Sequence, residues 1–206
     1  MDDSTRQALA AALAGERPRL LVLAGPNGAG KTTFYEQFLA HLSLPFVNAD
    51  LMARALNPDD AGSVAYQAAE LADQLRRDLL RRRVSFIMET VFSDPAGDKI
   101  GFLREARTVG YQVILLFIGL DAAELSVLRV TQRAIEGGHD VPLDKLHERF
   151  PRTLRNLAAA LRFVDVALLL DNSSIIEPYR HVASWRNGSE VFRDPAAPGW
   201  CPAWHA

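Results

Sequence analysis

Gly25-Pro26-Asn27-Gly28-Ala29-Gly30-Lys31-Thr32 fits G-x-x-x-x-G-K-[ST] at every fixed position. The apolar run Leu20-Leu21-Val22-Leu23-Ala24 precedes it, and Thr33-Phe34-Tyr35-Glu36-Gln37-Phe38-Leu39-Ala40, a segment of helical character, follows. That strand–loop–helix setting separates a phosphate-binding loop from a glycine-rich turn with a chance lysine. In such a loop the backbone N–H groups curl around a phosphate where a Cβ would obstruct them. The helix that follows turns its positive end toward the same anion. Gly25 through Thr33 are therefore expected to hold ATP. Lys31 should reach the β- and γ-phosphates, and the Thr32 hydroxyl should ligate Mg²⁺.

Outward from this loop, strands and helices alternate. Arg19 to Ala24, Phe46 to Asn48, Val84 to Met88, Tyr111 to Ile118 and Val164 to Leu170 read as strands. Tyr111 to Ile118 is almost continuously apolar, as a strand buried on both faces of a parallel sheet must be. Val64, Ala68, Leu71, Leu75 and Leu79 mark the buried face of a long helix from Ser63 to Arg83. Asp121-Ala122-Ala123-Glu124 has the spacing of a capping box and opens another helix. The expectation is an α/β fold of the P-loop NTPase/kinase kind. It has three layers: a mostly parallel sheet of about five strands with helices on both faces, and a helical lid over about residues 126–155. Residues 1–206 read as a single domain with its core at about 18–180. His181 to Trp185 and Glu190 to Phe192 flank Asn187-Gly188 as a hairpin, and the tail from Asp194 to Ala206 is expected to lie extended over the surface.

Composition sets bounds. The 206 residues are 49% hydrophobic and 23% charged, ordinary for a globular chain. A net charge of -2 argues against binding nucleic acid through bulk charge. The single cysteine, Cys201, excludes an intrachain disulfide and a cysteine-based metal cluster. His41, His147 and His181 show no metal-ligand spacing. Met1-Asp2-Asp3-Ser4 lacks the features of a signal peptide, and no apolar stretch approaches ~20 residues. The expected location is the cytoplasm, with no membrane involvement.

Phosphoryl transfer needs a group to deprotonate the acceptor and cations for the charge that develops. Asp50 lies just past the second strand, on the carboxyl-end side where an α/β sheet holds its ligands. It reads as a base, as a helix N-cap, or as both. Glu89 and Thr90 end the third strand on the same side. Glu89 could hold a substrate hydroxyl or a water on Mg²⁺, or pair with Lys31 or Arg133. Arg129, Arg133, Arg149, Arg152 and Arg155 flank the break at Gly137-Gly138-His139-Asp140-Val141-Pro142. They read either as inward arginines of a closing lid or as surface partners of Glu136 and Glu148. His139 reads as a substrate contact or a turn stabiliser. Arg76, Arg77, Arg81, Arg82 and Arg83 read as a solvated helix face or as a nucleic-acid patch. Asn172, past the last parallel strand, stands where P-loop proteins often hold adenine, by fold analogy.

The phosphate loop, Val47-Asn48-Ala49-Asp50, Met88-Glu89-Thr90, Gln132-Arg133, the Gly-Gly-His loop, Arg149-Phe150, Asn156-Leu157 and Asp171-Asn172-Ser173 follow one another in an order that resembles the zeta-toxin family of P-loop kinases, in its shorter chromosomal branch. The resemblance spans roughly residues 18–180. It implies transfer of the γ-phosphate of ATP to a hydroxyl of a sugar nucleotide, UDP-N-acetylglucosamine in the characterised toxins. By position it implies Lys31 on phosphate, Thr32 on Mg²⁺, Asp50 as base, Glu89 and Asp73 on substrate, and Arg133 and Arg149 on the transferring phosphate. It also admits a separate antitoxin protein as partner. The glycine–arginine pair that follows the family's substrate-side glutamate is Val91-Phe92-Ser93 here, which leaves the acceptor open. Open alternatives are another hydroxyl acceptor (an antibiotic, another sugar or a nucleic-acid 5′-hydroxyl) and a nucleotide-binding regulatory module without transfer.

Overall fold

The apolar run after Arg19 lies at the centre of the molecule. The computed structural model describes residues 3–15, 17–135 and 142–203. In it that run forms β1 (Arg19–Ala24), fully buried from Leu20 onward. Its side chains alternate between two cores: Leu20, Val22 and Ala24 face one side of the sheet, Leu21 and Leu23 the other. A strand buried on both faces must be apolar at every position, and this one is. β1 pairs in parallel with β3 (Phe86–Thr90) and with β4 (Gln112–Gly119). β2 (Phe46–Val47) lies outside β3, and β5 (Val166–Asp171) outside β4, both parallel.

These are the five expected parallel strands, but the sheet does not stop there. β6 (Arg180–Arg186) pairs antiparallel with β5, and β7 (Ser189–Arg193) with β6, giving seven strands in the order β2-β3-β1-β4-β5-β6-β7. The turn between them places Asn187 at φ 50 and Gly188 at φ 82, the left-handed pair of a type I′ hairpin.

The helices are α1 (Asp3–Leu13), α2 (Lys31–Phe34, continued by a π turn and a 3₁₀ turn to Leu42), α3 (Ala49–Leu56), α4 (Ala65–Arg81), α5 (Asp98–Thr108), α6 (Ala123–Ile135) and α7 (Leu143–Leu161). On one face Leu9, Phe34 and Leu39 from α1 and the α2 segment pack on the sheet; on the other, Ala72, Phe102 and Leu157 from α4, α5 and α7 do. Each buried leucine or phenylalanine among these contributes about 1.5–3 kcal/mol. Parallel strands all end on one edge, and there the loops carrying the candidate residues meet.

Two boundaries differ from the sequence reading. β3 runs from Phe86 to Thr90 rather than from Val84, because Arg83 at φ 55 closes α4 and the Val84 N–H is spent on the Leu79 carbonyl. At its other end the strand closes on Glu89 and Thr90, as read from the sequence. The tail is not simply extended over the surface: it turns at residues 195–196 and 199–200 and buries Trp200 and Cys201. Trp200 is buried on Gly119, where a Cβ would sit 2.3 Å from its ring, and its Nε1 donates to Asp171 at 3.2 Å. Glu136 and the loop from Gly137 to Val141, His139 included, lie outside the described residues, as do residues 204–206.

Candidate active site

The phosphate loop is shaped by what surrounds it. A Cβ on Gly25 would stand 2.1 Å from the Ile118 carbonyl of β4, so glycine is required for the chain to leave β1 there. Gly30 opens α2 at φ 87, with the Asn172 amide 2.7 Å from where a Cβ would be. Side chains from four directions engage the loop's carbonyls. Lys31 Nζ donates to Pro26 (3.0 Å), Ser126 Oγ to Asn27 (2.6 Å), Asn172 Nδ2 to Ala29 (2.9 Å) and Tyr179 Oη to Gly30 (3.0 Å). With its carbonyls occupied, the loop is left with donors, since the first N–H groups of a helix have no intrahelical acceptor. Buried Asn27 Oδ1 has no partner among the described residues. Asn172 is buried and braces the loop from behind rather than standing in the cavity wall.

Glu89 is the hub of the polar cluster. Its Oε2 accepts from Asn48 Nδ2 at 2.8 Å and from Thr32 Oγ1 at 3.1 Å, and its Oε1 lies 4.0 Å from Lys31 Nζ. Burial pushes the Glu89 carboxyl above its ordinary value, against the pull of Lys31 and the hydrogen bond from Thr32; the charge of Asp50 pushes it further the same way. Burial lowers the Lys31 ammonium, Glu89 and Asp50 partly restoring it and Arg133 adding to the depression. Burial thus works against the charged form of each group.

Asp50 is not the cap of α3. Asn48 is: its Oδ1 accepts from the N–H groups of Asp50 (2.8 Å) and Leu51 (3.1 Å). The Asp50 carboxylate is thereby left exposed in the first turn of α3, in the wall of a cavity of about 670 Å³ shared with Lys31, Thr32 and Glu89.

The far wall of that cavity comes from α4 and the start of α5. Asp73, Arg76, Arg77 and Lys99 line it, with Thr90 and Val91 between. Arg76 is only 5% exposed. Its Nη2 meets Asp73 at 3.2 Å, and Asp73 also binds Arg77 at 3.0 Å, while Arg76 Nε has no partner among the described residues. Burial lowers the Lys99 ammonium, and the Arg76 charge lowers it further. The arginine run of α4 therefore divides. Arg81 and Arg82 pair with Asp78 and Arg83 with the Val109 carbonyl, a solvated face, whereas Arg76 and Arg77 turn to the cavity.

The arginines of α6 and α7 divide too. Arg133 lines the cavity; Arg149 is half-buried and lies outside its lining. Arg129 Nη1 reaches the Gly28 carbonyl at 3.5 Å, and Arg152 pairs with Glu148 at 3.6 Å. Arg54, Asp98, Lys99 and Glu105 also line the cavity and were not singled out from sequence. A signal existed: Gly97-Asp98-Lys99 opens the helix that follows β3, and such helix starts face the ligand edge.

A parallel sheet with β1 flanked by β3 and β4, a glycine-shaped anion nest and a lysine at its helix start define the P-loop kinase fold. The chain belongs to the Zeta toxin family, whose model matches residues 2–190. Among solved structures it is similar to a chain of the AvrRxo1-ORF1:AvrRxo1-ORF2 complex with sulphate ions (TM-score 0.72, 20% identity, 97% of this chain and 69% of that one). It is also similar to a chain of the PezAT chromosomal toxin-antitoxin system of Streptococcus pneumoniae (TM-score 0.56, 18% identity, 93% of this chain and 82% of that one). An uncharacterized protein of Haemophilus influenzae is 26% identical over 126 residues, 61% of this chain and 88% of that protein. No described helix is long and apolar enough to cross a membrane.

Proposed function

We propose that this protein is an ATP-dependent phosphotransferase that moves the γ-phosphate to a hydroxyl of a sugar nucleotide. UDP-N-acetylglucosamine is the acceptor its family membership suggests. One observation carries the reading: Lys31 and Thr32 of the phosphate loop open onto the same cavity as an exposed carboxylate, Asp50, that helix capping does not employ. In this mechanism Asp50 takes the proton of the acceptor hydroxyl as that oxygen bonds to the γ-phosphorus. The bond from phosphorus to the bridging oxygen breaks and ADP leaves. Lys31 and Arg133 offset the negative charge on the transferring group, with Arg149 joining them on lid closure.

The donor set fits Mg²⁺. Among the described residues no group of three or more His, Cys, Asp or Glu could cage a metal. Mg²⁺ in P-loop sites takes mainly phosphate oxygens and water, with the loop hydroxyl and a nearby carboxylate from the protein. Thr32 would supply that hydroxyl, with Glu89 positioned by it to orient bound water. The ion would neutralise charge on the β- and γ-oxygens.

Acceptor selection falls to the opposite wall. Buried Arg76 and half-buried Lys99, two cations lining one wall, suit an acceptor that carries phosphate, as a sugar nucleotide does. Asp73 and Thr90 stand beside them for sugar hydroxyls. Asn172 is assigned to the back of the loop rather than to adenine. Because Arg76 and Arg77 face the cavity, a nucleic-acid 5′-hydroxyl is the second acceptor to test. A separate antitoxin protein is proposed as partner, by likeness to a toxin-antitoxin system. The proposed location is the cytoplasm, where ATP is available.

The test is purified protein with ATP, Mg²⁺ and a panel holding UDP-N-acetylglucosamine, free sugars and a 5′-hydroxyl oligonucleotide. ADP release and product mass are read. Acceptor-dependent ADP release with a phosphate added to the sugar nucleotide supports the reading. ATP binding with no acceptor-dependent release from any member refutes it and favours a regulatory nucleotide module.

A further inference from the structure

Between β3 and α5 the chain turns sharply at a residue unsuited to the bend. Phe92 adopts φ 62, a left-handed conformation that a bulky non-glycine residue rarely takes, and its ring is 1% exposed in the core. Such a conformation persists only when its surroundings impose it. Here they do. The Phe92 N–H donates to Thr90 Oγ1 at 2.9 Å. From α7, Thr153 Oγ1 donates to the Val91 carbonyl at 2.9 Å, and Asn156 Nδ2 donates to the carbonyls of both Phe92 (3.0 Å) and Asp94 (3.1 Å). Thr153 is fully buried.

The location makes this more than a folding detail. Glu89, Thr90 and Val91, just before the bend, stand in the cavity wall, and so do Gly97, Asp98 and Lys99 just after it. Thr153 and Asn156 line none of the cavity. The same helical pair also holds the opposite loop: Ser126 of α6 donates to Asn27, and α6 packs on α7 through Val130 and Leu146.

We propose that Asn156 and Thr153 are positioning residues for the acceptor side. Through the carbonyls of residues 91–94 they fix Thr90 and Val91 on one side of the bend and Lys99 on the other. Relaxation of Phe92 to an ordinary φ would displace both stretches of wall, and a misplacement of about 1 Å at a reacting site can cost roughly 100-fold in rate. The kinetic part of this proposal rests on the phosphotransferase reading; the structural part does not.

The experiment compares full-length Asn156→Ala, Thr153→Val and Thr153→Ser with the unsubstituted protein, well below the melting temperature of each. Thr153→Val removes the hydroxyl at constant shape, and Thr153→Ser keeps it. Amide hydrogen exchange at Phe92 should accelerate about tenfold or more in Asn156→Ala and Thr153→Val, with Gly28 to Thr32 unchanged. With UDP-N-acetylglucosamine as acceptor, kcat/KM should fall roughly 10- to 100-fold in those two variants, with the KM for ATP within about twofold. Thr153→Ser should restore both readouts. A purely structural role would lower stability and active fraction and leave both KM values in place, and that result overturns the proposal. If no acceptor on the panel is phosphorylated by any version, the phosphotransferase reading falls, and unchanged exchange at Phe92 in Asn156→Ala still overturns this one by itself.

Discussion

Consider Asp50→Asn. The substitution keeps the side chain's shape and removes its charge and its ability to accept a proton. Asp50 is exposed, and capping of α3 belongs to Asn48, so folding loses little. An exposed site of this kind costs within about 0.5 kcal/mol, or less than about 2 °C in Tm for a chain of this size. Nucleotide affinity should hold or improve. The Asp50 charge favours the protonated form of Lys31, but it also adds negative potential where phosphates would bind, so its loss leaves the loop more attractive to an anion. Turnover is another matter. A positioned general base contributes roughly 10²- to 10⁴-fold, and kcat should fall by that factor with the KM for ATP unmoved. Coupled ADP detection gives kcat, and calorimetric titration with a non-hydrolysable ATP analogue gives Kd. The reasoning is refuted if kcat stays within about fivefold of the unsubstituted protein, or if ATP binding and turnover disappear together.

Three further outcomes follow from the same geometry. Lys31→Ala should abolish stabilisation by nucleotide: at 100 times its Kd, ATP adds about 2.7 kcal/mol to the unsubstituted protein, a Tm rise of about 5–10 °C, and a scanning-fluorimetry trace of the variant should not move. Arg76→Ala and Lys99→Ala should each raise the acceptor KM roughly tenfold or more, as loss of a charge-assisted contact does, with the KM for ATP unchanged; equal effects on both substrates would contradict the two-wall assignment. Glu89 has its pKa raised by burial, so its ionised form is disfavoured in the fold and the penalty grows as pH rises from the ordinary carboxylate value of 4.5 through the higher folded value. Glu89→Gln escapes that penalty, and urea midpoints should shift in its favour between acid and neutral pH; a gap that stays flat across that range would refute the assignment.

The donor half of the site was legible because its chemistry is written in contiguous residues. The glycines, Lys31 and Thr32 are fixed by spacing, and the apolar run before them and the helix after them supply the context. Asp50, Glu89 and Thr90 were legible for a different reason: strand ends in a parallel sheet share one edge. The wall built by α4 and the start of α5 was not legible. Arg76 and Arg81 belong to one run of similar residues, and only the rotation of α4 against the sheet sends Arg76 inward and leaves Arg81 on Asp78. The motif around Asn48 is visible in the sequence but its work is not, since a cap accepting from residues 50 and 51 while donating to a residue 41 positions away is a tertiary fact. The burial of Trp200 was missed because tryptophan in a proline-rich tail has no partner visible in sequence; its partner is the bare backbone at Gly119.

Lys31 cannot serve Glu89 and a phosphate at full strength together, and breaking a buried ion pair normally strands a charge at a cost of about 3–5 kcal/mol. The geometry softens this without removing it, since Lys31 favours the Glu89 charge more than the hydrogen bond from Thr32 or that from Asn48 does. The Lys31–Glu89 contact is the loosest in the cluster at 4.0 Å, whereas Asn48 at 2.8 Å and Thr32 at 3.1 Å hold the same carboxylate. Glu89 therefore keeps its hydrogen bonds when Lys31 turns away. Lys31 itself is tethered to the Pro26 carbonyl inside the loop, so its ammonium is already beside the nest. Asn48 thus has two jobs from one amide. Its oxygen caps α3 and so releases Asp50 from that duty, and its nitrogen holds Glu89 and so releases Lys31. The residue between a two-residue strand and a helix start determines how the cations and carboxylates around the nest are shared out.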